Sequence, residues 1–401
     1  MPLQVEQRDL SEDIAPIRPR SGPGGKPYEA ARVLVRRHSR PLGTVDVPLP
    51  DGGLEPNELR HRLESAFRAR LQHGADAGES LRDPPFASVV IPTRDRPQLL
   101  APCLDAVLAV EYPEERFEVV VADNAPSDTS TRDAVERVTA RDERVSYVVA
   151  PRPGSASARN DGARHARGSI VAFVDDDAVV DRHWLRELVA GFTLERVVCV
   201  TGLVIAAELD TWAQQLFEEY GGFGKGFDDA VYDIGDNRPD QPLFPFNPAI
   251  LGSGNNVAFR RETLLEVGGY DPCLGNGTPT RSGEDWELFL RLFRLGFTAS
   301  YRPAAIVHHR HRRELPELIA QIHDYGVGVG AGLARTIAHD PRAALEIAAR
   351  MPAAARYLIS SSSPKNRNRG DAYPRSLLRA EVLGMMRGPM AYLRSRRAAA
   401  G

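Results

Sequence analysis

The sequence predicts an α/β protein: a doubly wound, mostly parallel sheet with helices on both faces. A small α+β module precedes it and a helical extension follows it. Three observations carry this. From Phe86 onward, short apolar runs alternate with helical apolar stripes, the pattern of a parallel sheet wound by helices. The fourth run, residues 170–174, stops at Asp175, Asp176 and Asp177, so its polar end marks the edge of a buried strand. Beyond about Arg313 the chain turns helical and increasingly basic.

Residues 1–27 are rich in Pro and Gly and carry Glu6, Asp9, Glu12 and Asp13 without an apolar stretch. They are expected to form a flexible arm, neither a signal peptide nor an anchor. Residues 28–85 should form a small module and linker. Residues 31–35 and 44–47 read as a hairpin about a turn containing Pro41. Leu59, Leu63, Phe67 and Leu71 then recur at helical spacing, ahead of a polar linker over 74–85.

Residues 86–312 are expected to form the main unit, in two halves over 86–210 and 211–312. Strands are predicted at 88–91, 119–122, 145–149 and 170–174. Helices separate them: a stripe from Leu99 to Leu108, a segment over 132–140, and another over 157–166. Residues 221–248, rich in Gly, Asp, Pro and aromatics, read as an irregular loop over a site. A strand over 255–261, a helix over 284–295 and a short strand over 304–308 complete the unit. Residues 313–401 form the helical basic extension.

The 401 residues suffice for a large core, and 42% hydrophobic with 26% charged residues is ordinary for a soluble globular chain. A net charge of -3 offers no basic field for nucleic acid. Cys103, Cys199 and Cys273 lie far apart, with neither zinc spacing nor a disulfide framework, and read as small buried hydrophobes in a reducing compartment. The longest apolar run, 197–207, is too short to span a bilayer. The expected location is the cytoplasm, including the inner face of the membrane.

Adjacent carboxylates repel and resist desolvation unless a cation is near. Asp175–Asp177 at the end of a core strand therefore point to a hard divalent ion, Mg2+ or Mn2+, and to a phosphorylated substrate. A solvated turn or helix cap is the competing explanation. Pro92, Thr93, Arg94 and Asp95 form a strand-to-helix turn suited to an anion. Neither a GxGxxG run nor a P-loop lysine is present, which speaks against a dinucleotide fold and an NTPase. Asp123 and Asn124 end the second strand. Arg159 in the first turn of a helix opposes the dipole, and a nearby phosphate would account for it. Glu284 and Asp285 open an apolar helix, where they serve either as a base or as favourable N-terminal charge. The helix dipole lowers the affinity of Asp285 for a proton while Glu284 raises it. Of the histidines in 308–311, alternation along a strand points one of His308 and His309 inward. Trp286 reads as helix packing or as a platform for an acceptor.

Several of these stretches together resemble a known family. Residues 89–96, 120–124 (Val-Val-Ala-Asp-Asn), 158–160 (Ala-Arg-Asn) and 173–177 (Phe-Val-Asp-Asp-Asp), in this order and spacing, resemble the family 2 glycosyltransferases of GT-A fold. Residues 268–271 (Gly-Gly-Tyr-Asp) and 283–287 (Gly-Glu-Asp-Trp-Glu) look like that family's acceptor-side motif. The resemblance covers roughly Phe86 to His311, and it implies that 86–312 is a catalytic domain with a nucleotide-sugar half over 86–210 and an acceptor half over 211–312. It implies that Pro92, Thr93, Arg94, Asp95, Asp123, Asn124, Arg159, Asn160, Asp175 and Asp176 bind the nucleotide. It implies that Asp177 and Asp175, with His309 or His308, hold the metal. Asp285, beside Glu284, would be the general base, and Trp286 and Asn255 would face the acceptor.

The implied activity is metal-dependent transfer, with inversion, of a sugar from a nucleoside-diphosphate donor, a UDP-sugar by preference, to an acceptor hydroxyl. Lipid-linked, cell-envelope and natural-product acceptors all fit. Two rivals stand beside it. A sugar nucleotidyltransferase lacks support because no Gly-rich, Lys-bearing loop follows the first strand. A non-catalytic nucleotide-sugar-binding protein would have no need of Asp177 and Asp285. Residues 365–397 interleave Arg375, Arg379, Arg387, Arg394, Arg396 and Arg397 with Leu383, Met386, Met390 and Leu393. Such a stretch either lies on an anionic membrane or packs on the domain. The alternating Gly326, Gly328, Gly330 and Gly332 suit close packing or a mobile connection.

Overall fold

The structure is a computed structural model that describes residues 1–72, 83–360, 362, 363, 365, 366 and 373–400. Most of the linker expected over 74–85, and Arg367, Arg369 and Asp371 of the basic stretch, lie outside the described residues.

The N-terminal module contains strands β1 (Gln4–Asp9), β2 (Ala30–Arg37) and β3 (Arg40–Pro48), then helices α1 (Pro56–Ala66) and α2 (Arg68–Gln72). The expectation of a loose arm over 1–27 is corrected here: β1 pairs in parallel with β2, Gln4 opposite Ala31. Its backbone hydrogen bonds come from β2 rather than from any apolar pattern of its own, which hid it. Buried Gln4 fixes the following loop, donating to the Arg18 carbonyl at 3.0 Å and accepting the Arg20 N–H at 2.8 Å. Ile14, Ile17, Val33, Val35, Leu54, Leu59 and Leu63 form the module's own core. The module docks on the main sheet through Leu34 against Leu203 and Ile306, and through a buried ion pair, Arg36 Nη2 to Asp181 Oδ2 at 2.8 Å.

The main unit alternates as predicted at first: β4 (Ala87–Thr93), α3 (Pro97–Leu108), β5 (Phe117–Asn124), α4 (Ser130–Thr139), β6 (Val145–Ala150), α5 (Ser155–His165) and β7 (Ile170–Val174). There follow β8 (Ala178–Val180), α6 (Trp184–Ala190), β9 (Val197–Ala206), α7 (Trp212–Tyr220) and β10 (Ala230–Tyr232). Next come β11 (Asn256–Arg260), α8 (Arg261–Glu266), α9 (Glu284–Arg294) and β12 (Thr298–His309). They build one 9-stranded sheet in the order β10-β12-β9-β11-β7-β4-β5-β6, with β8 paired to β12. Strands β7, β4, β5 and β6 are parallel, and β9 and β12 are parallel to each other. Between these sets β11 runs antiparallel to both β7 and β9.

Alternation along the strands divides the core. Val89 and Ile91 of β4 face α3, α4 and α6, whose Leu100, Leu104, Val135, Trp184 and Leu188 cover them. Val90 faces the other layer, with Ala156 and Ala158 of α5, Leu264 of α8, and Leu288, Phe289 and Phe293 of α9. The doubly wound arrangement with helices on both faces therefore holds. Cys103, Cys199 and Cys273 are free and buried, as expected.

Three helices follow: α10 (Leu315–His339), α11 (Ala343–Ile359) and α12 (Arg375–Ala400). Helices α10 and α12 lie side by side and run the same way. Gly326 rests on the backbone of Glu381 and Met385, and Gly330 on that of Met385 and Gly388. From the facing side Gly384 rests on the His323 carbonyl. Gly328 and Gly332 of α10 face the other way, onto Gly283 and the Trp286 ring. The alternating glycines thus serve close packing on two sides of one helix. Tyr392 of α12 donates to Asp271 Oδ2 at 3.0 Å, tying the extension to the main unit. Among the described residues no helix is long and apolar enough to cross a membrane.

Gly384 gives a direct test of this contact. Alanine is the better helix former by about 1 kcal/mol. A methyl at Gly384 nevertheless overlaps the His323 carbonyl. Gly384→Ala should therefore destabilise the protein by roughly 1–3 kcal/mol in urea unfolding. A gain in stability would show that the helices do not touch there.

Candidate active site

The carboxyl ends of β4, β5 and β7 open into a cleft of about 2390 Å³ that continues along α9, α10, α11 and α12. Its walls include Pro92, Thr93, Arg94, Asn124, Arg159, Asp175, Asp176, Asp177, Asn255, Glu284, Asp285, Trp286 and His309. The sequence-predicted residues are thus largely brought together, but with unequal freedom.

Buried Arg159 is committed to protein partners. Its Nη2 donates to Asp175 Oδ1 at 2.6 Å and its Nη1 to Glu284 Oε1 at 2.8 Å. Ser155 Oγ also donates to Glu284 Oε1 at 2.7 Å. One guanidinium therefore joins the end of β7 to the start of α9. It is engaged rather than open to a phosphate, and Glu284 is an ion-pair partner rather than a free base.

The three aspartates differ. Asp176 is buried and accepts the Thr93 hydroxyl at 2.7 Å. Burial, opposed by that hydrogen bond, pushes its carboxyl up to about 7. Asp175 is engaged by Arg159. Asp177 Oδ1 is buried and has no hydrogen-bond partner among the described residues. It faces His309 Nε2 at 3.7 Å.

That gap has a chemical signature. His311 Nε2 is 2.8 Å from Glu218 Oε1, and His309 Nδ1 is 3.2 Å from His311 Nδ1. With Glu218 accepting from His311 Nε2–H, His311 Nδ1 is an acceptor and His309 Nδ1 is the donor. His309 Nε2 then turns a lone pair toward a carboxylate oxygen. Burial holds the His309 imidazole below its usual range, which favours this neutral form. Two electron-pair donors facing each other without a proton between them suit a cation. Among the described residues no group of three or more His, Cys, Asp or Glu side chains is arranged to hold a metal. The pair therefore suits an ion that takes its remaining ligands from phosphate and water, as Mg2+ commonly does.

His308 is not brought to the cleft. Its neighbour on β12 takes the inward position, and His308 is turned toward Arg36 and Asp181 under the N-terminal module; burial, with Arg36 next, holds it down at about 4. Asn160 is likewise not a cleft residue: its side-chain amide donates to the Tyr270 carbonyl and accepts the Tyr270 N–H, both at 2.8 Å. Asp123 is fully buried at the end of β5 and accepts the Tyr147 hydroxyl at 2.8 Å, while its Oδ1 has no partner among the described residues. Asp95, at φ 52, accepts the Ser127 N–H at 2.9 Å and so ties the turns after β4 and β5 together. Asn124 accepts the Gly154 N–H at 2.8 Å, positioning the start of α5. Asn255 accepts the Ser253 hydroxyl at 2.6 Å, and Trp286 packs on Gly332 at the cleft wall.

Asp285 is held by backbone. Its Oδ2 accepts the Gly254 N–H and its Oδ1 the Trp286 N–H, both at 2.7 Å. Burial and then Glu284 raise its carboxyl above the usual range, outweighing these two donors and Arg159. Lys225 and Arg312, which the sequence did not single out, also line the cleft. Lys225 stands in a Gly-rich loop and Arg312 directly after the histidines, and those positions were the available signals.

Parts of the chain are similar to known proteins. The family described as Glycosyl transferase family 2 matches residues 88–268. The chain is 34% identical over 120 residues to the glycosyltransferase AglE of Haloferax volcanii, covering 30% of this chain and 40% of the relative. It is 27% identical over 230 residues to an N-acetylglucosaminyltransferase of Rhizobium meliloti, covering 56% and 50%. The chain thus spans half or less of the length of these two relatives. A mannosyltransferase of Pyrobaculum calidifontis, solved in complex with GDP-Man and Mn2+, aligns at a TM-score of 0.49 and 21% identity, covering 84% of this chain and 83% of that one. Residues 88–268, which bear the strand-end acids, are thus similar to glycosyl transferase family 2.

Proposed function

We propose that this protein transfers a glycosyl group from a nucleoside-diphosphate sugar, a UDP-sugar by preference, to an acceptor hydroxyl, with inversion and with Asp285 as general base. The carrying observation is the Arg159 bridge. It sets the acids that end β7 and the start of α9 within the reach of one guanidinium, so donor-side and base-side carboxylates share one cleft.

In this mechanism the acceptor O–H gives its proton to Asp285 as its oxygen bonds the anomeric carbon. The bond from that carbon to the diphosphate oxygen breaks, and the diphosphate leaves with the electron pair. A single displacement inverts the centre. A carboxylate whose proton affinity is raised by burial is a stronger base once ionised, and its backbone donors fix its direction. Asp177 and His309 would hold the divalent ion, which when bound stabilises charge on the departing diphosphate. Arg159 keeps Asp175 and Glu284 from adding unbalanced charge beside the reacting centre.

The exposed face of helix α12 supports a peripheral membrane location. Leu383, Met386, Met390 and Leu393 of α12 are exposed, with Arg379, Arg387 and Arg394 interleaved. Helix α12 therefore packs on α10 with one face and offers apolar and basic groups on another. An anionic surface at the inner face of the membrane complements that pattern.

Several outcomes follow. Asp285→Asn should retain donor binding and lose transfer by about 10²–10⁴-fold, measured with a panel of nucleotide sugars as release of nucleoside diphosphate; an active variant removes Asp285 from the role. Because Asp285 must be ionised and its carboxyl is raised, wild-type kcat/KM should climb with pH through a limb above the ordinary carboxylate value of about 4. Asp177→Asn should weaken Mn2+-dependent donor binding by roughly 10–100-fold in calorimetry, and an unchanged affinity would refute the metal assignment. Finally, the protein should co-sediment with vesicles containing anionic phospholipid and not with neutral ones, and Met386→Glu should reduce this. Equal recovery in both supernatants would exclude membrane contact.

A further inference from the structure

Five of the cations that line the cleft are already paired with acids. Arg159 is held by Asp175 and Glu284, and Lys365 by Glu381. Arg281 lies 3.7 Å from Asp324, Arg96 3.7 Å from Asp176, and Arg94 3.6 Å from Asp95. A nucleoside diphosphate brings further negative charge and needs a positive group not already committed.

Lys225 is such a group. It is half-buried, it lines the cleft, and no acid lies within ion-pair distance of its ammonium among the described residues. Removing a charge from water without a counter-charge is costly, so the site favours an anion supplied from outside. The base of the side chain is held firmly. The Lys225 N–H donates to the Tyr301 hydroxyl at 3.2 Å, and that hydroxyl donates to the Gly226 carbonyl at 2.9 Å. Tyr301 is fully buried in β12, the strand that ends at His309. Phe223, in the same loop, meets the His309 ring edge-on, centroids 5.1 Å apart. The loop is therefore seated against the histidine that faces Asp177.

We propose that Lys225 is a diphosphate-binding residue, its ammonium taking an oxygen of the donor's departing diphosphate beside Asp177 and His309. This rests on the glycosyl-transfer reading. The ammonium is pushed down to about 8 by burial, with Glu218 of α7 acting the other way. Its neutral fraction near neutral pH should therefore exceed that of an ordinary lysine.

The chain's lysines are Lys26, Lys225 and Lys365, so amine labelling followed by mass spectrometry resolves each. Wild-type protein with Mg2+ is labelled with acetic anhydride, with and without UDP, GDP, ADP or dTDP. Lys225 should be protected by the nucleoside diphosphate that binds, and Lys26 should not. In calorimetry Lys225→Met should weaken that nucleotide roughly 10–100-fold while leaving the parent nucleoside unchanged, and Lys225→Arg should restore most of the affinity. Binding with Lys225 still fully labelled, or with Lys225→Met affinity unchanged, overturns this assignment alone. Wild-type protein that binds none of the four overturns the glycosyl-transfer reading with it.

Discussion

Like charge crowded at the end of a sheet is the constraint around which this cleft is arranged. Asp175, Asp176, Asp177, Glu284 and Asp285 all reach it, and the fold disperses their repulsion in different ways. Arg159 balances Asp175 and Glu284 at once. Burial keeps Asp176 proton-hungry, with the Thr93 hydroxyl as its partner. That leaves Asp177, facing a lone pair on His309, and Asp285, steadied by two backbone amides, as the acids with unspent capacity. Such a division of labour among similar side chains is what the proposed cation ligand and base require.

Much of this was legible in the residues. The parallel half of the sheet was readable because each strand is an apolar run bounded by polar residues, and each helix between them has a single stripe. The position of Asp175–Asp177 at the tip of β7 followed from the same pattern. Strand alternation also anticipated that His308 and His309 would face opposite ways. Strand β9 was harder: an unbroken apolar run over 197–207 has no period, so it could be read only as too short for a membrane span. Strand β1 was hidden for the opposite reason, since its polar residues acquire strand structure from pairing with β2.

Partnership was the part of the site that residue identity did not reveal. Arg159 was expected in the first turn of a helix over 157–166, but α5 begins at Ser155, and the pairing of Arg159 with Glu284, distant in sequence, had no local signal. Asn160 looks like a nucleotide contact until both ends of its amide are found on Tyr270. Lys225 passed unnoticed because a lone lysine in an irregular loop carries no periodic or motif signal, and its meaning comes from the lack, among the described residues, of an acid within ion-pair distance. Hydrogen-bond accounting across long sequence separations decides such cases.

Helix α10 has a consequence for how this cleft diversifies. Its two glycine rows leave it no slack, since Gly328 meets Gly283 on one side and Gly330 meets Met385 on the other. The rim beside Asp285 is thereby propped from outside the stretch shared with the family, which ends at residue 268. Altering α10–α12 would reshape the entrance and, through Gly283, the start of α9, while leaving Asp175–Asp177 at the tip of β7 in place.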